Sequence, residues 1–130
     1  MIQNAQQKYQ HSAVQTATPA QLVVMLYDGA IRFVKLGVEG IEQKNYQKAN
    51  YNLVKAQAIL HELTGALNRD IPISKQLVQI YEYMLYQLIQ ANLKKTTSPA
   101  REVLQHLNVL RDAWAQAAKS VGASQRLSHV

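Results

Sequence analysis

The sequence predicts an all-α fold, an antiparallel up-down four-helix bundle with a short N-terminal segment and a disordered C-terminal tail. Apolar residues recur every three or four positions through four successive segments, which is the spacing of one helix face. The three prolines lie only at the starts of these segments or between them. Short connections between helices of similar length favour antiparallel neighbours. We therefore assign residues 18–119 to the bundle, with a tail at 1–17 and a flexible tail at 120–130.

The first helix is predicted over residues 19–42. Its start, Thr18–Gln21, has a capping threonine, a proline at the first helical position and a glutamine that completes a capping box. Gly29, Gly37 and Gly40 lie inside the helix, where each costs about 1 kcal/mol relative to alanine. Close contact with a neighbouring helix usually compensates for this cost. The first helix is therefore predicted to be the most buried of the four, touching two neighbours, and the alternative is a partner groove beside it.

The second helix is predicted over residues 46–67, capped by Asn45, and the third over 73–94, after Pro72. Both have a regular apolar line that is typical of a bundle seam. In the second helix the line is Tyr46, Ala49, Leu53, Ala56, Leu60, Leu63 and Leu67. In the third helix it is Leu77, Tyr81, Met84, Leu88 and Ala91.

The fourth helix is predicted over residues 99–119, with a start signal at Ser98 and Pro99. Beyond it, residues 122–130 contain a glycine and several serines, a composition typical of a disordered terminus. The apolar line of the fourth helix is Val103, Leu107, Leu110, Trp114, Ala117 and Val121.

Composition bounds the class of protein. There is no cysteine, so neither a disulfide framework nor a thiolate metal site is available, which suits a reducing compartment. The N-terminus has no apolar signal region, and the longest apolar run, residues 22–26, is far shorter than the roughly 20 residues of a membrane span. We expect a soluble, cytoplasmic protein that does not insert into membranes.

The net charge is +6, from 14 basic and 8 acidic residues, which raises the question of nucleic acid. The basic residues are scattered along the chain, however, and Lys94–Lys95 is their only adjacent pair. A nucleic-acid footprint usually forms a patch or stripe interleaved with exposed aromatics. The pattern favours a solvated surface and no nucleic-acid partner, although a basic nucleic-acid-binding bundle stays open as an alternative.

Residue types that form catalytic and metal sites are present, but their spacing does not fit such a site. A di-iron bundle needs Glu-x-x-His pairs, whereas Glu102 and His106 are four apart and no histidine pair is present. There is no Gly-x-Ser-x-Gly elbow and no phosphate loop. Asp28, the acidic residue within an apolar stretch, is interpreted as bonded to a neighbouring helix rather than catalytic. The sequence predicts neither an enzyme nor a metal or cofactor site.

Apolar residues exceed what one seam per helix requires. Part of this surplus belongs to an ordinary core, since globular helices often have broad apolar stripes. The seven tyrosines favour a binding surface, because tyrosine combines a large contact area with a polar tip. A bundle with apolar grooves is predicted to bind helical or extended segments of another protein. The surplus residues are Tyr51, Val54, Ala58, Ile59, Val78, Ile80, Tyr83, Leu85, Tyr86, Ile89, Leu104 and Val109.

The chain resembles the flagellar secretion chaperone FliS family from about Tyr9 to Ala117. No single stretch is diagnostic, but their order and spacing together are specific. The stretches are Tyr9, residues 14–19, Leu22, residues 25–30, 55–56, Ile59, 62–63, 67–68, 80–84, Leu88, 91–92 and 110–114.

This resemblance implies a chaperone that binds the C-terminal segment of flagellin, a segment that is disordered in the monomer and helical in the filament. Occupying the segment would prevent premature polymerisation, and the chaperone would deliver it to components of the flagellar type III export apparatus. A generic helical adaptor stays open as the alternative. The residues predicted to line the flagellin groove are Tyr51, Lys55, Ile59, Ile80, Tyr83, Leu104 and Leu107.

The N-terminal segment has weak helical spacing, with Ile2, Ala5, Tyr9 and Ala13 on one side and Val14 adjacent. Its apolar content is too low for it to fold alone. We hypothesise that residues 1–17 cover a groove of the free protein, through Ile2, Tyr9 and Val14, and yield to flagellin. A merely disordered terminus is the alternative.

Overall fold

The structure, a computed structural model, describes residues 18–128, with side chains as far as residue 120. It contains four helices, and residues 18–128 contain no strand. The helices are α1 (Pro19–Glu42), α2 (Tyr46–Ala66), α3 (Ile73–Lys94) and α4 (Ser98–Ser128). None of the described helices is long and apolar enough to cross a membrane.

The helices form an antiparallel ring in which each contacts its two neighbours, α1 packing on α2 and α4, and α3 packing on the same two. Two ion pairs show the antiparallel course of α1 and α4. Arg111 contacts Asp28 at 2.8 Å in the first half of α1, and Arg101, earlier in α4, contacts Glu42 at 2.5 Å at the end of α1. The predicted up-down bundle is confirmed.

The predicted caps of α1 and α2 are present. The Gln21 amide donates to Thr18 Oγ1 at 3.2 Å, and the Thr18 amide donates to Gln21 Oε1 at 2.9 Å. Asn45 Oδ1 accepts from the Lys48 amide at 3.2 Å. These bonds satisfy amides that have no partner within the helix, and so they define where each helix begins.

The helix boundaries differ from the prediction mainly at the end of the chain. α2 ends at Ala66 and α4 begins at Ser98, each within one residue of the predicted boundary. α4 continues to Ser128, beyond the predicted end at residue 119. No proline follows Pro99, so nothing in the later sequence forces the helix to stop. The flexible tail at 120–130 and the tail at 1–17 stay predictions, and residues 1–17 lie outside the described part of the chain.

Two turns place a lysine in the left-handed backbone region. Lys44 has φ 56° after α1, and Lys95 has φ 52° after α3. A side chain in this region costs roughly 1–2 kcal/mol because its Cβ approaches the carbonyl oxygen. Glycine is the usual residue at such a position.

Lys44→Gly is expected to raise the free energy of unfolding by about 0.5–1 kcal/mol, since relief of the Cβ contact exceeds the added entropy of the unfolded chain. The Lys44 amide keeps its bond to the Ile41 carbonyl. Urea unfolding followed by circular dichroism measures the change. Ala58→Gly, on the exposed face of α2, is the control and should cost about 1 kcal/mol. A loss of stability in Lys44→Gly would contradict the predicted strain.

The core contains a hydrogen bond that crosses the bundle diagonally. The hydroxyl groups of Tyr27 on α1 and Tyr81 on α3 lie 2.5 Å apart, and both side chains are buried. Burial raises the pKa of both phenols, and for Tyr27 the bond to Tyr81 raises it further. Both residues therefore stay protonated at neutral pH, and each phenol provides a partner for the other inside an apolar core.

Helix α1 approaches α2 closely at its glycines, as predicted. A Cβ built on Gly37 would lie 2.6 Å from Leu53 Cδ2, and one built on Gly40 would lie 2.6 Å from the Ala49 amide nitrogen. A Cβ on Gly29 would contact Ile59 Cδ1 at 3.2 Å. The α1–α2 packing therefore depends on the absence of side chains at these positions, and it forms one wall of the bundle.

Candidate peptide-binding surface

Exposed apolar side chains concentrate on the outer face of α3. Ile80, Tyr83, Tyr86 and Ile89 are all exposed, and we call this set the α3 ridge. Their exposed fractions are 37%, 46%, 59% and 41%, so accessibility is highest in the middle and lower at both ends. Such a contiguous exposed apolar set is a mark of an interaction site.

The spacing of the α3 ridge determines its direction. Its members are three residues apart, and each step of three turns about 60° backwards around a helix with 3.6 residues per turn. Four residues therefore cross about half of the helix circumference. The ridge runs obliquely over α3, from the α4 side at Ile80 to the α2 side at Ile89, and connects the two grooves that flank this helix.

The α4 side of the ridge is organised around Glu102. Its carboxylate accepts from the Tyr83 hydroxyl at 2.6 Å and from Gln87 Nε2 at 2.5 Å. His106 Nε2 lies 3.6 Å from the same carboxylate, and the His106 ring meets the Tyr83 ring edge-on at 6.2 Å. Val109, one turn beyond His106, is 70% exposed and extends the apolar surface along α4. These polar contacts orient Tyr83 while leaving its ring accessible.

The hydrogen bond between Tyr83 and Glu102 shifts the pKa values of the two groups in opposite directions. It is the main cause that lowers the pKa of Glu102, followed by the Gln87 bond, and it is the main cause that raises the pKa of Tyr83. A carboxylate with a lowered pKa stabilises the fold above the pKa of the unfolded chain. That contribution is lost as pH falls through the folded pKa.

Tyr83→Phe is expected to raise the pKa of Glu102 towards its ordinary value, because the variant lacks the hydroxyl donor. A carboxyl-detected NMR titration of Glu102 measures the change. Tyr86→Phe is the matched control, since no described carboxylate contacts that hydroxyl, and it should leave the Glu102 titration unchanged. An unchanged Glu102 pKa in Tyr83→Phe would show that the bond is absent in solution.

The α2 side of the ridge faces a second shallow groove. Asn92 Nδ2 donates to Asn50 Oδ1 at 2.8 Å and bridges α3 to α2. Val54 lies one turn after Asn50 and Ile89 one turn before Asn92, so in an antiparallel pair they face the same groove. Val54 and Ile89 are both exposed. This groove therefore has apolar residues on both walls.

The groove residues predicted from the sequence fall on several faces. Ile80 and Tyr83 lie together on the α3 ridge. Tyr51 and Lys55 lie on the outer face of α2, where Lys55 Nζ is 5.5 Å from the centroid of the Tyr51 ring. Ile59 is only partly exposed, because it packs on the core beside α1. The predicted set is therefore not one continuous groove.

The two predicted groove residues on α4 are buried to different degrees. Leu104 is half-buried and packs against the core. Leu107 is fully buried, with 0% of its surface exposed. Its assignment to the groove stays a prediction, and as a buried side chain it would contact a bound segment only if the bundle opens. The regular line of α4 already contained Leu107, and that line forms the core. The predicted capping residues Ile2, Tyr9 and Val14 lie outside the described residues.

Two concavities lie near the start of α1. An open groove of about 700 Å³ between α1 and α2 is lined mainly by apolar residues, with Arg32 and Glu62 at its rim. A smaller cavity of about 200 Å³ at this end of the bundle is lined by residues that include Trp114 and Tyr81. Both lie close to Thr18, where the described chain begins.

The acidic residue inside the apolar stretch of α1 has a structural partner. Arg111 Nε donates to Asp28 Oδ1 at 2.8 Å, so Asp28 is bonded to a neighbouring helix, as predicted. Among the described side chains, no three metal-ligating residues lie close enough together to hold an ion. The described surface therefore offers exposed apolar contact area on a helical bundle.

The fold and the α3 ridge define a helical-bundle protein with an exposed apolar surface on one helix. The family model described as Flagellar protein FliS matches residues 1–121. The Flagellar secretion chaperone FliS of Bacillus subtilis (strain 168) is 43% identical over 119 residues, covering 92% of this chain and 90% of the relative. The Flagellar secretion chaperones FliS of Escherichia coli (strain K12) and Salmonella typhimurium are 32% and 33% identical over 108 residues. These alignments cover 81% of this chain and 79% and 80% of the relatives.

This chain belongs to the FliS family of flagellar secretion chaperones. The resemblance inferred from the sequence is therefore confirmed. The family is one of chaperones and not of enzymes, which agrees with the prediction of a non-catalytic protein. The partners of such a chaperone belong, in general terms, to flagellar secretion.

Proposed function

We propose that this chain binds the disordered C-terminal segment of flagellin in the cytoplasm, with the α3 ridge as the centre of the contact. The bound segment is held away from other flagellin subunits and is delivered to the flagellar export apparatus. The observation that carries this proposal is the oblique line of exposed apolar residues across α3, in a chain that belongs to a flagellar secretion chaperone family.

The direction of the ridge supports a bound segment that crosses α3 instead of lying along one groove. A segment seated beside Val109 on the α4 side can continue over Tyr86 and reach Val54 on the α2 side. An extended or partly helical chain fits this path, because it is not restricted to a straight axis. A disordered partner also tolerates a wrapped interface, since it is ordered only on binding.

The chemistry of the partner matches such a surface. A flagellin segment that packs inside a filament is apolar, and in the monomer that apolar face needs cover. The tyrosines of the ridge provide wide contact area with little loss of side-chain entropy, and aromatic residues are frequent among the residues that dominate binding. The proposed contact is therefore apolar at its centre, with polar groups such as Glu102 and Gln87 beside it.

Calorimetric titration with a peptide of the flagellin C-terminus tests the proposal. We expect a large negative heat-capacity change, as apolar area is buried, together with a gain of helix in the peptide. The affinity should depend weakly on salt, whereas phosphate-driven binding of nucleic acid weakens steeply with salt. No binding of the peptide at tens of micromolar would overturn the proposed function.

The N-terminal segment is proposed to cover an apolar groove in the free protein. The α1–α2 groove of about 700 Å³ is lined by Leu22, one turn beyond Thr18, and so lies within reach of residues 1–17. Deletion of residues 1–16 should strengthen the binding of the flagellin peptide, because a competing segment is removed. An unchanged affinity would exclude the segment from the mechanism.

A further inference from the structure

Basic residues that are scattered along the sequence lie together at one end of the folded bundle. The α1–α2 turn and the α3–α4 turn lie at the same end of the antiparallel bundle, and the residues around them are rich in lysine and arginine. We call this region the turn end. Its basic residues are Lys44, Lys48, Lys94, Lys95 and Arg101.

Ion pairs neutralise some of the basic side chains of the turn end and leave others without a carboxylate partner in the described part of the chain. Lys48 pairs with Glu39 at 3.3 Å, and Arg101 pairs with Glu42 at 2.5 Å. The remaining basic side chains, Lys44, Lys94 and Lys95, have no carboxylate within ion-pair distance among the described residues.

Helix termini do not add a net positive potential at the turn end. Both α2 and α4 begin there, but α1 and α3 end there. The partial negative charges of the two C-termini offset the partial positive charges of the two N-termini. The positive potential of the turn end therefore comes from its basic side chains.

An apolar element lies beside the charges. Leu93 is 74% exposed, the highest value among the large apolar side chains of the described chain, and Tyr46 is also exposed. Tyr46 lies one turn before Asn50, whose bond to Asn92 bridges α2 and α3. Leu93 follows Asn92 and lies one turn beyond Ile89, so it continues the outer face of α3 next to this bridge. Lys95 Nζ lies 5.9 Å from the centroid of the Tyr46 ring. The turn end thus offers apolar contact area within a basic rim.

We infer that the turn end is a docking site for an acidic protein segment that carries an apolar anchor. Carboxylates of the segment would pair with Lys44 and Lys95, and its anchor would pack on Leu93 and Tyr46. This arrangement favours a protein over nucleic acid or a lipid surface, because the exposed Leu93 and Tyr46 add apolar contact area that a row of phosphates does not use. The site adjoins the end of the α3 ridge at Ile89, and its basic residues lie outside that ridge.

The test uses the full chain and a fluorescent 16-residue peptide of four Glu-Glu-Leu-Ala repeats, with binding followed by anisotropy. Lys44→Asn/Lys95→Asn removes two charges while keeping residues that tolerate the left-handed backbone. Lys75→Gln/Lys119→Gln removes the same charge from the opposite end of the bundle and is the control. We expect about tenfold weaker binding for the first pair and less than twofold for the second.

Three outcomes of the peptide titration would overturn the inference. These are no measurable binding of the peptide, equal weakening in both variant pairs, or full affinity for a peptide with serine in place of leucine. Binding of a 16-nucleotide oligothymidine or of phosphatidylglycerol vesicles that depends more strongly on Lys44 and Lys95 would also overturn it, in favour of a phosphate-bearing partner. The flagellin peptide should bind both variant pairs as it binds the parent protein. Weaker flagellin binding in Lys44→Asn/Lys95→Asn alone would also overturn the inference, because the turn end would then belong to the flagellin contact. Absence of flagellin binding in the parent protein would count against the proposed function and not against this site.

Discussion

Gly40→Ala is expected to lower the free energy of unfolding by about 3 kcal/mol, at the upper end of the cost of overpacking a core. The new Cβ would lie 2.6 Å from the Ala49 amide nitrogen, 2.9 Å from Ala49 Cα and 3.1 Å from the Asn45 carbonyl oxygen. All three are backbone atoms, so no side-chain rotation relieves the contact. The helices α1 and α2 would have to separate, and Asn45 would shift from its capping position. Urea unfolding monitored by circular dichroism measures the loss.

Two other glycines serve as controls for this prediction. Gly65→Ala should raise stability by about 0.5–1 kcal/mol, because the new Cβ has no neighbour within 4 Å outside the backbone of its own helix and the unfolded chain loses freedom. Gly37→Ala should cost less than Gly40→Ala, since its closest contacts are side-chain atoms of Leu53, which can change rotamer. Equal stability of Gly40→Ala and the parent protein would contradict the close approach of α1 and α2.

The sequence predicts those parts of the fold that depend on local spacing. The Thr18 cap, the Asn45 cap and the course of four helices follow from residues three or four positions apart, whose contacts are the same in any helix. The glycines of α1 predict a close neighbour for the same reason, because a helix interior tolerates glycine poorly. Neither inference needs to know which helix lies opposite.

Burial around the helix axis is harder to predict, since neighbours determine which part of an apolar stripe is covered. Tyr81 and Tyr86 are both tyrosines on α3, yet Tyr81 is 1% exposed and Tyr86 59%. Leu107, which is predicted to line the groove, belongs to the regular line of α4 and is buried in the core. When apolar residues cover two sides of a helix, the sequence indicates that some of them stay exposed. Only the packing of α3 against α2 and α4 determines which ones, and it leaves Tyr86 and Ile89 on the exposed ridge.

The clustering of charge at the turn end is equally hard to predict from the sequence. Lys94 and Lys95 are the only adjacent basic pair, and a scattered pattern predicts a solvated surface. The antiparallel topology brings Lys44 from one turn close to that pair from another. A patch assembled from separate turns has no continuous signature in the sequence.

Tyr83→Ala/Tyr86→Ala is expected to weaken binding of the flagellin C-terminal peptide by about 3 kcal/mol, roughly 100-fold, as truncation of two central aromatic residues commonly does. Both side chains are exposed in the free protein, so the fold should lose less than about 1 kcal/mol. Calorimetric titration measures the affinity, and urea unfolding checks that the bundle is intact. Unchanged affinity would exclude the α3 ridge as the centre of the contact.

The matched control, Tyr83→Phe/Tyr86→Phe, keeps both rings and removes only the hydroxyl groups. Because the proposed contact depends on apolar area, this variant should bind the peptide within about threefold of the parent protein, equivalent to less than 1 kcal/mol. A loss as large as in the alanine variant would mean that the hydroxyl groups dominate, with the bond between Tyr83 and Glu102 as the important contact. The two variants together therefore separate ring burial from hydrogen bonding at the same two positions, where a bound segment would cross α3.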